Sequence, residues 1–348
     1  MRRRACPLTG SQCGTSDGPS SWSQDTWRHC GSGCLGTIWP RPSAPGAPLP
    51  DLTLSTILRL GLVGLAADFR DRRRDPGLRA RPSLRALDPR LHRPVFIIGA
   101  PRSGTTFLGS CIGRLPEISY HFEPRLTKAA ARCVYDGSWT RKRSAAVFRL
   151  EYAALLLASL GGGRRFAEKN PENSFLVPFL AETLARSQFL HILRDGRDVA
   201  VSHAEMPWLA ARSAAEGRRG RGGQVWGPGP RWWVEEGRRE EFARVPDIVR
   251  SAWCWRRFTE AALDGLAALP GDRAIEVRYE WLVRHPAGAA DLLADFLGTS
   301  SAGRQALHAG LARARPDSVG RWQAALNRDE ISQVEGEIGP LLVRLGYA

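Results

Sequence analysis

An apolar segment that runs directly into a glycine-punctuated loop limits the folds open to this chain. The chain reads VFIIGAPRSGTT at this point, with Gly99 and Gly104 spaced as in the loop that cradles nucleoside triphosphates. That loop ordinarily ends in GK[ST], but here Thr105 occupies the lysine position and Arg102 supplies a cation three residues earlier. The amides of Ser103 to Thr106, at the start of the helix that must follow, predict an anion site. The groups that bind a magnesium-bound triphosphate are missing.

Short apolar runs alternate with helical patterns from Pro94 onward, which predicts an α/β fold. We expect a P-loop-type three-layer α/β/α arrangement with a central parallel sheet. The predicted strands are Val95–Ile98, Ile118–Phe122, Arg165–Glu168, Gln188–Leu193 and Ala274–Arg278. The predicted helices are Gly104–Gly113, Ser144–Leu160, Glu172–Arg186, Asp198–Ala204, Asp247–Ala268, Ala287–Phe296 and Arg328–Leu345.

Composition divides the 348 residues into three segments. Residues 1–50 are rich in Ser, Gly, Pro and Cys and are expected to be a disordered extension, while residues 51–93 form an amphipathic helix and a linker. The apolar residues from Leu54 to Phe69 recur at helical spacing, which predicts a stripe packed on the protein's own core. Residues 94–348 form the main domain, with a Trp/Gly/Arg-rich insertion at about 205–245 that is either a lid or binding loop or a disordered insertion.

Charge, cysteine use and hydropathy narrow the class of protein. The net charge of +15 comes almost entirely from arginines scattered along the whole chain, which favours compositional bias over a nucleic-acid surface. The apolar window from Leu52 to Ala67 is interrupted by Arg59 and is shorter than a membrane span, so we expect a cytoplasmic protein. Cysteines scattered through the main domain fit a reducing compartment, and Cys30 and Cys34 lack the second ligand pair of a zinc site.

Polar side chains follow every predicted strand. Parallel sheets bind ligands outside the carboxyl ends of their strands, so these residues are expected to converge on one site. The strand ends carry Arg102, His121 with Glu123, Lys169, Arg194 and Tyr279.

Four segments resemble the sulfotransferases that use 3'-phosphoadenosine 5'-phosphosulfate (PAPS). They are GAPRSGTTFL, FLHILRDGRDVAVSH, VRYEWLVRHP and SVGRWQAAL, and they are most similar to the bacterial and Golgi-type branch that includes tyrosylprotein sulfotransferases. The resemblance covers the chain from about Pro94 to Tyr347. Its most specific part is the first loop together with RDGRDVAVS about 90 residues downstream.

The resemblance implies a set of nucleotide contacts. The 5'-phosphosulfate would lie on Arg102, Ser103, Gly104, Thr105 and Thr106. The 3'-phosphate would lie on Arg194 and Ser202, and the later contacts are Tyr279, Ser318 and Arg321. PAPS is then the co-substrate, adenosine 3',5'-bisphosphate is the product, and no metal is expected.

Three residues are candidates for the chemistry. Lys169 is one of three lysines in a chain that uses arginine for nearly every other cation, which favours a position that needs a compact charge. It resembles the lysine that neutralises the bridging oxygen as the sulfonate leaves. Glu123 matches the general base of the tyrosylprotein branch, and His121, expected on the same face of the strand, is the competing base.

Two other functional classes remain open at this level. Asp195 follows an apolar strand as in a P-loop kinase, which would need it to hold Mg²⁺. The arginine content also fits a non-catalytic nucleic-acid-binding module, although no nucleic acid is expected as partner. The acceptor is a hydroxyl or amine of a small molecule, glycan or lipid, and the sequence does not indicate which one or the oligomeric state.

Overall fold

A computed structural model describes residues 52–75, 91–160 and 163–347, so the extension predicted at residues 1–50 lies outside the described residues. The first described helix, α1, spans Leu54–Arg74. Thr53 precedes it, and its hydroxyl accepts a hydrogen bond from the backbone amide of Thr56 at 3.3 Å, which caps the open end of the helix.

Five parallel strands form the central sheet in the order β2-β3-β1-β4-β5. They are β1 (Val95–Ile98), β2 (Ile118–Phe122), β3 (Arg165–Lys169), β4 (Gln188–Leu193) and β5 (Ala274–Arg278). The predicted strands are therefore confirmed, with β3 one residue longer than expected. The register pairs Phe96 with Glu168 on one side and with Phe189 on the other, so all carboxyl ends lie along one edge.

The helices, like the strands, follow the expected alternation along the chain. They are α1, α2 (Thr105–Ile112), α3 (Arg125–Tyr135), α4 (Arg141–Ala158), α5 (Val177–Thr183), α6 (Gly196–Ala204), α7 (Arg239–Arg244), α8 (Asp247–Ala267), α9 (Tyr279–Arg284), α10 (Pro286–Leu297), α11 (Ser301–Leu311), α12 (Trp322–Ala325) and α13 (Arg328–Leu345). The sequence did not predict α3, which carries arginines and a lysine among its apolar residues, or the Ala/Gly-rich α11. The short helices α7, α9 and α12 were not predicted either.

The two faces of the sheet pack against different helices, as the alternation of side chains along a strand requires. Phe96 and Ile98 of β1 belong to a core with α3, α4 and α5, whereas Val95 and Ile97 belong to a core with α2, α10 and α11. A third cluster joins α6, α8 and α13. The predicted three-layer α/β/α architecture is confirmed.

The predicted helix Glu172–Arg186 is wrong over its first residues. A 3₁₀ turn, Pro171–Phe175, comes first, and α5 begins only at Val177. Both segments carry a proline at one of their first two positions, where proline favours the start of a helix because it lacks an amide hydrogen. The turn is short enough to place Glu172 at the carboxyl end of β3.

Helix α1 buries only part of the apolar stripe that its periodicity predicts. Leu54, Leu58 and Leu62 are 71%, 60% and 69% exposed, so the expected burial is wrong for them, whereas Ile57 and Leu65 of the same stripe are partly buried against the core. The buried face carries Leu60 and Gly64 instead. The helix packs against α3 and α4, and Ile57, Val63 and Leu65 lie partly buried on the core that these helices share.

Polar contacts fasten α1 to the edge strand β2. Asp68 lies 2.9 Å from Nδ1 of His121, and Arg72 donates a hydrogen bond of 2.6 Å to the carbonyl oxygen of Tyr120. The helix therefore packs as part of the same unit as the sheet, although it precedes the expected start of the main domain at Pro94. No helix among the described residues is long and apolar enough to cross a membrane.

The insertion at 205–245 is folded over the sheet edge. It contains two 3₁₀ turns, the bridge between Arg219 and Val225, and α7. The buried guanidinium of Arg231 donates hydrogen bonds of 2.6 to 2.8 Å to the carbonyl oxygens of Val225, Trp208 and Gly227. These bonds hold the insertion as a single layer above the carboxyl ends of the strands.

Candidate active site

A large cavity of about 860 Å³ lies between the carboxyl edge of the sheet and the insertion. The residues expected from the sequence that line it are Arg102, Gly104, Thr105, Thr106, Glu123, Lys169, Arg194, Ser202, Tyr279, Ser318 and Arg321. Ser103 and His121 are not among the lining residues. The strand ends thus converge as the topology of a parallel sheet requires.

The loop after β1 turns sharply before α2. Arg102 and Gly104 both have positive φ, of 73° and 96°. A Cβ at Gly104 would lie 2.6 Å from Cδ2 of Tyr279, so only glycine fits here. The amide of Ser103 donates a hydrogen bond of 3.1 Å to the Ala100 carbonyl within the turn. The amides of the first turn of α2, which begins at Thr105, have no intrahelical acceptor and lie at the cavity.

Two arginines and a serine form a cluster at this end of the cavity. Nε of Arg102 donates to the Ser202 hydroxyl at 3.0 Å, and Nη1 of Arg194 donates to the Arg102 carbonyl oxygen at 3.3 Å. Nη2 of Arg194 donates to the Ser318 carbonyl oxygen, and its Nε is buried with no hydrogen-bond acceptor among the described residues. Burial lowers the pKa of Arg102, and the nearby charges of Arg194 and Arg321 lower it further while Glu205 opposes them. Two cations held this close favour an anion between them.

Tyr279 and residues 318–322 lie at the same end of the cavity as Arg194. The Tyr279 hydroxyl lies 2.8 Å from the Ser318 hydroxyl, and the Arg194 guanidinium lies 4.6 Å from the centre of the Tyr279 ring. Asp198 accepts hydrogen bonds from the amides of Gly320 and Trp322, at 2.7 and 3.1 Å. The segment is therefore anchored to α6, the helix that carries Ser202.

At the other end of the cavity, acids and lysines alternate in a buried chain. Nζ of Lys169 lies 2.6 Å from Oε1 of Glu123, and Nζ of Lys128 lies 3.1 Å from Oε2. The same Lys128 ammonium lies 2.6 Å from Glu172. Burial by itself raises the pKa of Glu123, but the charges of Lys128 and Lys169 outweigh it and hold this pKa well below its usual range. Burial lowers the pKa of Lys169, and Glu123 opposes that effect.

The backbone at Glu123 turns its side chain away from the line of the strand. Its φ is 44°, in the left-handed region that non-glycine residues rarely adopt. A residue is held in such a conformation only when its surroundings fix it, and here the two lysines do so. This turn ends the alternation of β2, which is why the expectation that His121 and Glu123 share a face is wrong.

His121 lies beneath α1 instead of in the cavity. Its ring stacks on Phe166 with a centroid distance of 4.8 Å, and its Nδ1 lies 2.9 Å from Asp68. Burial lowers the pKa of His121, Asp68 raises it, and Arg72 lowers it. The histidine packs as part of the contact between α1 and the sheet.

Asp195 binds the first turn of the helix that follows it. It caps α6, and its carboxylate accepts hydrogen bonds of 2.9 Å from the amide and from the Nη2 of Arg197. Glu280, at the start of α9, accepts a hydrogen bond of 2.8 Å from the Asp195 amide. Asp195 is not among the residues that line the cavity, so the kinase alternative lacks its metal ligand there.

The structure adds lining residues that the sequence reasoning did not single out. Lys128 and Glu172 complete the buried chain around Glu123, and Arg221 donates a hydrogen bond of 3.1 Å to the carbonyl oxygen of Phe122. Arg221 also lies 3.4 Å from Asp71 of α1. The scarcity of lysine, which drew attention to Lys169, would have identified Lys128 as well.

Aromatic side chains from the insertion line the cavity. They are Trp208, Trp226, Trp232 and Trp233. Trp232 packs on the rings of Tyr135 and Phe175, each with a centroid distance of 5.1 Å. The insertion therefore contributes an aromatic wall to the cavity.

Comparisons with known proteins agree with this geometry. Residues 94–220, which contain the anion loop, Glu123, Lys169, Arg194 and Ser202, match the model of the sulfotransferase family. No curated protein matches the sequence at a significant level.

Three solved structures are similar. Sulfotransferase STF9 from Mycobacterium avium has 12% identity and a TM-score of 0.50, covering 83% of this chain and 84% of that chain. Sulfotransferase STF1 from Mycobacterium tuberculosis has 15% identity and a TM-score of 0.43, covering 85% and 87%. Retinol dehydratase, solved with androsterone and the inactive cofactor PAP, has 17% identity and a TM-score of 0.38, covering 82% and 85%.

The likeness to STF9 extends over most of both chains and concerns the fold. The family match covers the segment that forms the anion loop and four of the five strand ends. The chain is therefore similar to the sulfotransferase family over residues 94–220 and shares the fold of a sulfotransferase.

Proposed function

We propose that this enzyme transfers a sulfonate from PAPS to a hydroxyl or amine of an acceptor, by in-line displacement and without a metal. The observation that carries the proposal is the division of one cavity into two ends. One end, at the loops after β1 and β4, holds Arg102 and Arg194 at a helix N-terminus, and the other, after β2 and β3, holds Glu123 with Lys169. A donor with two anionic groups and an acceptor nucleophile fit these ends in that order.

The residues at the first end fit a nucleotide with phosphates on both ribose positions. The first-turn amides of α2, Thr105, Thr106 and Arg102 would hold the 5'-phosphosulfate. Arg194 and Ser202 would hold the 3'-phosphate. The buried Nε of Arg194 supports this assignment, because a donor without an acceptor costs free energy until a ligand supplies one. When bound, PAPS supplies an activated sulfonate whose leaving group is a phosphate.

Lys169 and Glu123 would act on the two sides of the transferred group. Lys169 would stabilise the negative charge that develops on the leaving oxygen, and Glu123 would accept the proton of the acceptor. The two roles are coupled by their contact of 2.6 Å. When Lys169 turns its charge toward the donor, Glu123 keeps one lysine neighbour instead of two, so its pKa rises and it becomes a stronger base.

The cationic groups supply the charge stabilisation that a metal provides in phosphoryl transfer. A sulfonate carries less charge than a terminal phosphate, and Arg102, Arg194 and Lys169 are all in place around the cavity. We therefore propose that turnover does not depend on a divalent cation. Addition of EDTA to the assay should leave the rate unchanged.

The acceptor class follows from the aromatic wall. Trp208, Trp226 and Trp232 line the same cavity as Glu123, and their flat apolar faces suit a ring or an apolar chain that carries the reacting hydroxyl. Small molecules, glycans and lipids all offer such groups.

Radiolabelled PAPS tests the proposal. The protein is incubated with ³⁵S-labelled PAPS and an extract of its source, beside the Lys169→Ala variant, and the labelled product is identified. We expect label transfer by the wild-type protein only. Transfer of the γ-phosphate of ATP to the extract, with no transfer from PAPS, would show that the enzyme is a kinase.

A further inference from the structure

Exposed apolar side chains are concentrated on one part of the surface. Of the eleven large hydrophobic side chains that are exposed among the described residues, Leu54, Leu58, Leu62 and Phe69 all lie on α1. Four large apolar residues on one exposed helix exceed what a solvated helix of a globular protein normally carries.

These four residues lie on one side of the helix, where Leu65 between them is partly buried on the core. Their spacing of four, four and seven residues keeps them within about 80° of one another around an α-helix. From Leu54 to Phe69 the stripe is about 22 Å long, at a rise of about 1.5 Å per residue. The opposite face of α1 carries Leu60 and Gly64 and is packed on the domain.

The acidic and the basic side chains of α1 lie on different sides of the helix. Its acids turn inward: Asp68 contacts His121 and Arg72, and Asp71 contacts Arg221. The exposed surface of the helix therefore carries arginines alone as its charged residues, and these are Arg59, Arg70, Arg73 and Arg74. Arg59, Arg70 and Arg73 follow the apolar stripe along one of its sides, by their helical positions.

We propose that α1 is a membrane-surface helix that holds the enzyme on an anionic lipid bilayer. An apolar stripe bordered by arginines is complementary to acyl chains below a layer of negatively charged headgroups. The helix lies in the plane of the interface and does not span the bilayer, because its other face is packed on α3 and α4. A second copy packed antiparallel would cover the leucines but would bring the arginine rows of the two helices together, which costs repulsion.

Vesicle co-sedimentation of the full chain tests this proposal. The probes are vesicles of phosphatidylcholine mixed with phosphatidylglycerol and vesicles of phosphatidylcholine alone. We expect binding to the anionic vesicles, weakened at least about tenfold in the Leu58→Gln, Leu62→Gln double variant because two buried leucines are lost. Arg59→Gln and Arg70→Gln should each weaken it about fivefold and reduce its dependence on salt.

The matched control is Val343→Gln, which changes a side chain that is 68% exposed on α13 and should leave vesicle binding unchanged. Thermal unfolding of each variant verifies that the fold is retained, and all of these positions lie outside the catalytic cavity. Equal sedimentation with both kinds of vesicle, or undiminished binding of the double leucine variant, would overturn the proposal. A dimer that the double variant dissociates, without vesicle binding by the wild-type protein, would assign the stripe to a second copy instead.

Discussion

Replacement of Lys169 by alanine separates the catalytic and the structural work of one ammonium group. In the folded protein this group lies 2.6 Å from Oε1 of Glu123, and both side chains are buried. Removal of one partner of a buried ion pair typically costs about 3–5 kcal/mol. Lys128 remains 3.1 Å from the other carboxylate oxygen, so we expect a loss of stability near the lower limit, about 3 kcal/mol.

The effect on turnover should be distinct from the loss of stability. Removal of a preorganised charge that meets a leaving group typically costs about 100-fold or more in kcat. The assay measures sulfonate transfer from PAPS at saturating donor, at a temperature where chemical denaturation shows the variant to be folded. We expect the donor KM to change less than kcat, because the arginines of the other end hold the nucleotide.

Lys142→Ala is the matched control, since Lys142 is an exposed lysine of the same chain. It should match the wild-type protein in both stability and turnover. Near-normal turnover of a folded Lys169→Ala protein would refute the role of this lysine. A large loss of stability with unchanged kcat would mean that the pair with Glu123 is structural alone.

Three further outcomes follow from the structure. Glu123→Gln should lower turnover by about 100-fold or more and remove the acidic limb from the residual pH-rate profile. His121→Asn should lower thermal stability but retain activity; an inactive but folded His121→Asn protein would reverse the assignment. Burial raises the pKa of Glu151 to about 8, so its proton is bound in the folded state and lost in the unfolded state, and stability should fall by about 1.4 kcal/mol per pH unit as pH rises from about 4.5 to 8. Glu151→Gln should remove this slope in urea unfolding, and an unchanged slope would contradict the assignment. Gly104→Ala should weaken nucleotide binding in calorimetry, because its Cβ would lie 2.6 Å from the Tyr279 ring, and unaltered affinity would mean that the loop shifts freely.

The sheet and the anion loop could be predicted from the sequence because their signals are local. A fully buried parallel strand such as β1 requires consecutive apolar residues, and the turn that follows requires glycine at Gly104, whose φ is 96°. Residues at the carboxyl ends of parallel strands must share an edge, so the strand pattern was sufficient to group Arg102, Arg194 and Lys169.

The orientation of α1 could not be predicted in the same way. Periodicity identifies an apolar stripe but does not say what it packs against. Here Gly64 allows a close approach to the carboxyl group of Glu151, Leu60 is buried in the core, and Asp68 contacts His121, so the helix docks through the face that carries these residues. Leu54, Leu58, Leu62 and Phe69 are left outside.

The contacts of Glu123 with residues other than Lys169 could not be predicted from the sequence either. Lys128 reaches Glu123 because α3 follows β2 directly, and Glu172 reaches Lys128 because a 3₁₀ turn replaces the expected start of a helix after β3. Since neither feature has a strong local signal, the buried chain of four charges emerges only from the three-dimensional arrangement.

The account depends most on the binding of a nucleotide with phosphates at both ribose positions. Isothermal titration calorimetry with adenosine 3',5'-bisphosphate and with AMP tests this directly. Arg194 and Ser202 should make the bisphosphate bind about 100-fold tighter, since charge-assisted hydrogen bonds contribute about 1.5–3 kcal/mol each. Equal affinity for the two nucleotides would contradict the assignment of the site.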